Sequence, residues 1–336
     1  AEYLAYWGYA ASIATVIVAF IGPVFGTLAD TKGLKKPIFI TTMLIGGIGC
    51  LVLGLARQWL IFLLIYIIAK IGFSGSLIFY DSMLGDITTE ERVDNVSSQG
   101  YAWGYIGSCI PFVIALGLYA AGNPDFLGIM NEKLSIFLAF IVIAVWWFCV
   151  TIPLLKNYTQ KYYVETTSNK VKESISRLGK TLVTMYRDEK KVFFFLLAFF
   201  FYIDGVYTII DEAVAIGTAL GLNQMGLLVI LLLTQVVAFA FATLFGKLSE
   251  KYSSVQLITV CILGYFAVAI YALFMKELWQ FGIMAFVVGM FQGAIQALSR
   301  SYFAQIIPAN ASGEYFGIYD ICGKGAAFMG TTLVGI

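Results

Sequence analysis

Long apolar runs recur along this chain, each closed by a short polar segment. Ten have membrane length, at residues 5–28, 37–56, 60–80, 98–120, 134–155, 192–219, 224–245, 256–275, 279–300 and 315–336. A helix needs about 20 apolar residues to cross a hydrocarbon core of roughly 30 Å. The sixth run is the longest and is expected to break or tilt near Gly205. Strands of a membrane barrel alternate over about ten residues, whereas these runs are twice as long and do not alternate. The pattern therefore predicts an all-α polytopic membrane protein.

One connection is long, residues 156–191. Within it Val171, Ile175, Leu178, Leu182 and Met185 recur at helical spacing, while Lys172, Lys180 and Arg187 fall off that stripe. This predicts a short amphipathic helix lying on the lipid surface.

Composition sharpens the class. Hydrophobic residues make up 60% of the 336 and charged residues 12%, and mean hydropathy is +0.87. A soluble globule of this size cannot bury so much apolar surface, so a soluble enzyme and a disordered chain are excluded. With a net charge of +1, no basic surface for nucleic acid stands out. Histidine is absent, and the five cysteines lie singly in apolar runs with no CxxC pair. No catalytic residue, metal or cofactor is therefore expected. Gly179-Lys180-Thr181 imitates the end of a phosphate loop, but its first glycine would be Ser174.

The loops are asymmetric in charge. Sixteen lysines and arginines fall on one side, from Lys32, Lys35 and Lys36 through Arg92 and the 156–191 segment to Lys247, Lys251 and Arg300; only Arg57, Lys133 and Lys276 fall on the other. The positive-inside rule makes the first side cytoplasmic. A repeat follows: Gly26-Thr27-Leu28-Ala29-Asp30 closes the first span and Gly246-Lys247-Leu248-Ser249-Glu250 the seventh, at an offset of 220 that Ile87 and Ile307 also keep. Six crossings separate the copies, so both face the same side, as two halves related by an axis along the membrane normal require. The expected organisation is an N-terminal half at 1–155, a cytoplasmic central loop at 156–191 and a C-terminal half at 192–336. Extrapolated to twelve spans, the reading expects one more helix before residue 5 and another after residue 336.

At Gly26-x-Leu28-Ala29-Asp30-x-Lys32-Gly33-x-Lys35-Lys36 the chain resembles the signature loop of the major facilitator superfamily. Further stretches are similar to its autophagy-related vacuolar effluxer-like branch, also called the unknown-major-facilitator family: Phe79-Tyr80-Asp81 through Asp86-Ile87, Gln99 through Gly107, Tyr202 through Ile209, and Gln296-Ala297-Leu298-Ser299-Arg300-Ser301 with Ile307-Pro308. The resemblance implies two six-helix halves, with helices two to eleven visible. It also implies secondary transport by alternating access, with amino-acid efflux as the activity linked to eukaryotic relatives. The expected location is a bacterial cytoplasmic membrane, with a vacuolar membrane as the alternative. The expected partners are a small-molecule substrate, a coupling proton or cation and the bilayer, around a monomer.

In the family the carboxylate at Asp30 meets the start of helix eleven, here near 313–317, where unpaired N–H groups carry partial positive charge. Gly26, Asp30, Lys32, Gly33, Lys35 and Lys36 are thus the expected conformational latch. Glu250 is its pseudo-symmetric counterpart, aimed at residues 97–100. Ionisable residues inside spans cost about 2.5–3.5 kcal/mol on insertion scales and usually face a cavity or a partner. Lys70, Asp204 and the pair Asp320 and Lys324 meet that criterion, and Gln292 and Gln296 stand four apart on one helix. These six are the candidate substrate or ion contacts. A non-transporting sensor on the same fold would use the same residues.

Overall fold

In hydrocarbon a backbone has no water to bond and must satisfy itself, which favours an unbroken helix through each apolar run. The computed structural model describes residues 2–124, 127–165, 170–219, 221 and 223–334. Its helices are α1 (Glu2–Ala29), α2 (Lys35–Leu53), α3 (Trp59–Ser82), the single turn α4 (Leu84–Ile87), α5 (Val93–Gly122), α6 (Glu132–Asn157), α7 (Lys170–Arg187), α8 (Lys190–Ala219), α9 (Gln224–Leu248), α10 (Ser254–Ala272), α11 (Leu278–Ile306) and α12 (Ser312–Val334). Short 3-10 turns at Glu90–Arg92 and Ala309–Ala311 lead into α5 and α12. Among the described residues nine helices are long and apolar enough to cross a bilayer: α1, α2, α3, α5, α6 and α8 to α11. α12 covers the tenth run. Among the described residues the one β contact is an isolated parallel bridge between Thr31 and Val164.

The structure corrects the sequence reading in two places. The expected break at Gly205 is absent: α8 runs as one helix from Lys190 to Ala219. α5 begins five residues before its apolar run, at Val93, whereas α12 begins at Ser312, beside the expected start near 313–317. In their opening turns Val93, Ser97, Ser312 and Glu314 are buried, and Asp94 and Asn95 are half-buried.

The chain packs as two compact units. One comprises Ala1–Ile87, Ile110–Thr184 and Pro308–Ile321; the other comprises Thr88–Cys109, Met185–Ile307 and Cys322–Ile336. In the first, α2 lies along α3 at a contact only glycine permits, since a Cβ on Gly72 would stand 2.4 Å from the Gly46 amide nitrogen. Phe39, Phe79, Met83 and Tyr158 close its core beside Ala29. In the same unit α1 crosses the first turns of α12, where a Cβ on Gly26 would stand 2.2 Å from the Gly313 carbonyl oxygen. In the second unit α11 is the central helix, packed on α9 and α10 and buried from Gln292 to Ser301 apart from Gln296. Large apolar side chains such as Phe20, Phe201 and Phe266 point outward, as a lipid-facing surface requires.

Overlap with a backbone atom cannot be relieved by a rotamer change. Gly26→Ala should therefore destabilise the purified protein by about 1–3 kcal/mol. Gly104→Ala, at an α5 position with open space around it, should change stability by no more than about 0.5 kcal/mol. Thermal unfolding in detergent compares the two, and equal effects would refute the close crossing.

Candidate functional site

The first cluster forms where α1 ends. Asp30 is fully buried. Its carboxylate accepts the amide N–H of Gly313 at 2.7 Å and of Glu314 at 2.9 Å, in the first turn of α12. The Lys35 ammonium stands 3.7 Å from Asp30 Oδ1 and 3.4 Å from Asp86 Oδ2, and donates to Ser312 Oγ at 2.7 Å. Asp86 accepts the Tyr158 hydroxyl at 2.6 Å and the amide N–H groups of Lys161 and Tyr162, each at 3.0 Å. From α7, Arg177 pairs with Glu314 at 3.2 Å, donates to the Thr27 carbonyl at 3.2 Å and reaches Asp30 at 3.6 Å. The result is one buried network of three carboxylates and two cations joining α1, α2, α4, α7 and α12.

The neighbouring loop is fastened to the same place. Gly33 adopts a left-handed backbone, φ +74°, and its N–H donates to Gln160 Oε1 at 3.0 Å. Val164 donates its N–H to the Asp30 carbonyl at 2.8 Å and accepts from Lys32 at 3.2 Å. Lys32 itself is exposed, with an ion pair to Glu165 at 3.4 Å, and lies over the Tyr163 ring. Lys36 is half-buried on the first turn of α2.

The second cluster, at the start of α5, is built differently. Glu250 accepts a hydrogen bond from the Asn95 side chain at 3.1 Å and does not reach the backbone of residues 97–100. Arg300 is buried, donates to Ser97 Oγ and to the Ser97 carbonyl, each at 3.0 Å, and lies 4.6 Å over the Tyr101 ring. Asp94 gathers Ser254 at 2.8 Å, Gln305 at 3.1 Å and the Ser301 hydroxyl. Sequence reasoning missed Asp86, Arg177 and Glu314 in the first cluster, and Asp94 and Arg300 in the second. One signal was available: Asp94 and Glu314 keep the same offset of 220 as the repeat.

At membrane depth the second unit holds most of the candidate contacts. Asp204 and Thr208 lie one turn apart on α8, and Asp204 Oδ1 and Thr208 Oγ1 are buried without a hydrogen-bond partner, as is the Tyr265 hydroxyl of α10. On α11 Gln292 is buried and Gln296 half-buried, with the Tyr105 hydroxyl 3.5 Å from Gln296 Oε1. Tyr202 bonds Ser299 at 2.7 Å. A cavity of about 50 Å³ between α8, α9 and α11 is lined by Ile209, Ile210, Thr234, Gln235 and Gln292, room for a few waters or a small polar group. In the first unit Lys70 is half-buried in α3, its ammonium 5.6 Å from the Phe73 ring centroid. Asp320 and Lys324 are half-buried, four apart on α12.

This arrangement is that of a major facilitator superfamily transporter. The human organic anion transporter MFSD10 superposes with a TM-score of 0.70 at 14% identity, over 97% of this chain and 76% of that one. The superfamily transporter FucP in its outward conformation gives 0.69 at 15% identity, over 97% and 83%. The uncharacterized MFS-type transporter YxiO of Bacillus subtilis is 41% identical over the whole of this chain and 78% of its own length. Autophagy-related protein 22-1 of Neosartorya fischeri is 26% identical over 72% of this chain, and the match spans 43% of that fungal protein. The family described as "Vacuole effluxer Atg22 like" matches residues 2–93 and 86–336, and the chain belongs to it.

Burial pushes the Asp30 carboxyl up to about 6, against the pull of Lys35, the two amide N–H groups and Arg177. It is therefore ionised at neutral pH only with their help. Lys35→Met would strand two buried carboxylates, a loss of about 3–5 kcal/mol. A carboxyl whose folded pKa lies above its solvated value gains stability as pH falls through that folded pKa. The variant's deficit should therefore shrink between neutral pH and about pH 5. Thermal unfolding at both pH values decides; a small, pH-independent loss would contradict the network.

Proposed function

We propose that this transporter carries a small polar metabolite by alternating access, with amino acids as the substrate class. The observation that carries this reading is Asp204, a carboxylate within a membrane span whose Oδ1 is buried and unbonded. Such a group is costly in the membrane unless a ligand or proton completes it. Asp204 offers a counter-charge to a substrate ammonium or a coupling proton, with Thr208 one turn away as a hydroxyl partner. Gln292 and Gln296 offer neutral hydrogen bonds to the rest of the solute. Lys70 would meet a carboxylate or phosphate, and Asp320 with Lys324 would form a charge pair that opens during the cycle. The family name, an effluxer, agrees with movement of metabolites out of a compartment.

The clusters at Asp30 and at Arg300 act as conformational latches on the cytoplasmic side. Their acids and bases join segments from both halves of the sequence, 1–155 and 192–336, and they release when those halves rock apart there. Gly26 and Gly313 permit the approach, and Asp30 and Lys35 hold it. Glu250 adds a lighter contact through Asn95.

Counterflow into proteoliposomes, run with a panel of amino acids and other small zwitterions, tests the activity. Ligand-induced thermal stabilisation tests the site, since a ligand at one hundred times its dissociation constant stabilises by about 2.7 kcal/mol. Asp204→Asn and Lys70→Ala should remove that stabilisation while leaving the ligand-free unfolding temperature nearly unchanged. An undiminished ligand response in both variants assigns these residues to structure, and silence across the panel removes the substrate class.

A further inference from the structure

α7 presents three sides. One faces protein: Arg177 and Thr181 are half-buried and Met185 is buried. The next carries Leu182 and Tyr186, 50% and 67% exposed. The remaining side bears Lys180 and Arg187, both exposed. An apolar strip left uncovered beside a basic one calls for a particular occupant, and three observations identify it.

α7 ends at Arg187 and the membrane span α8 begins at Lys190, so the helix is tethered within two residues of the bilayer. The Tyr186 ring meets Phe193 of α8 edge-on at 5.5 Å, and Phe194 beside it is 61% exposed, so the open apolar strip of α7 continues into a lipid-facing surface. Residues 170–191 carry seven lysines and arginines against Glu173, Asp188 and Glu189. Apolar area together with excess positive charge matches a leaflet containing anionic headgroups.

We propose that α7 docks on the anionic lipid surface and that this docking seats Arg177 in the Asp30 cluster. Arg177 bridges the Thr27 carbonyl, Asp30 and Glu314 from a helix whose height is set by the bilayer. Headgroup charge thereby sets how firmly α1 and the start of α12 are held together. A neutral leaflet weakens the hold on α7, withdraws the guanidinium and leaves Asp30 with Lys35 and the two amide donors alone. The docking is independent of any substrate; its consequence rests on the latch reading of the Asp30 cluster.

The test uses the protein in nanodiscs of phosphatidylcholine alone or mixed with phosphatidylglycerol. A bimane fluorophore on Leu182→Cys, with the native cysteines replaced, reports contact with doxyl lipid by quenching. Quenching should rise at least about twofold in the anionic discs. The double variant Lys180→Glu with Arg187→Glu should lose that rise. Tyr186→Ser leaves every charge in place and should weaken quenching in both lipids. Spin labels on Thr41→Cys and Asn310→Cys, both in the first unit, read the cluster. Their distance distribution should be narrow in anionic discs, broader and longer in neutral ones, and broad in both for Arg177→Ala. Quenching that is the same in both lipids and in the charge-reversed variant overturns the docking. A lipid-dependent signal at residue 182 with an unchanging 41–310 distance overturns its control of the cluster. Neither readout requires transport, so a negative result in the uptake assays leaves this test intact.

Discussion

A charge removed from water must be met by protein groups or by a ligand, and in a bilayer no third option is near at hand. That constraint organises this molecule more than packing does. Backbone groups satisfy it within each helix, which is why the spans are long and uninterrupted. Side-chain charges cannot satisfy it alone. At the end of α1 the protein supplies the answer through the α12 amides, Lys35 and Arg177, and Asp30 stays ionised although it is fully buried. Inside α8 the protein leaves the question open at Asp204. The same physics therefore separates a carboxylate that protein donors meet from one that keeps a buried, unbonded oxygen.

The two clusters show how the repeated segments of one chain can diverge in their contacts. In the first copy an acid after the span caps the opposing helix directly, and glycine on both sides brings the backbones together. In the second, Glu250 meets only a side chain, and Gly246 packs against Ser98. The contacts fall instead to Asp94 of α5 and Arg300 of α11, which bond serines and a backbone carbonyl. The first cluster pairs full charges under burial, so the loss of any member leaves a partner uncompensated. The second joins Asp94, Glu250 and Arg300 to hydroxyls, side-chain amides and a backbone carbonyl.

Hydropathy made nearly every helix legible, because membrane length and the lack of alternation leave one backbone solution. It failed at the start of α5, where Asp94 and Asn95 read as loop residues. Their polarity is absorbed by protein contacts that only the fold creates. The glycine and acid of the repeat exposed Asp30 for the same reason that Asp86 and Arg177 escaped: the former belong to a local pattern, the latter to partners 51 and 137 residues from Lys35 and Glu314. Gln292 and Gln296 could be placed together by spacing on one helix. Whether Tyr105 would stand beside them depended on α5 approaching α11, which no local pattern encodes.

The central segment changes meaning once its contacts are seen. By sequence it is a charged connection with one amphipathic helix. In the structure its residues do three different jobs: Tyr158, Lys161 and Tyr162 surround Asp86, Val164 pairs with Thr31, and Arg177 joins α1 to α12. A linker needed only for reach would be tolerant of sequence and free of buried partners. This one contributes a guanidinium to a network whose central carboxylate is otherwise under desolvation strain, so its position enters the energy of that network. Anything that moves α7, a bilayer included, is thermodynamically coupled to that arrangement, and the coupling must run in both directions.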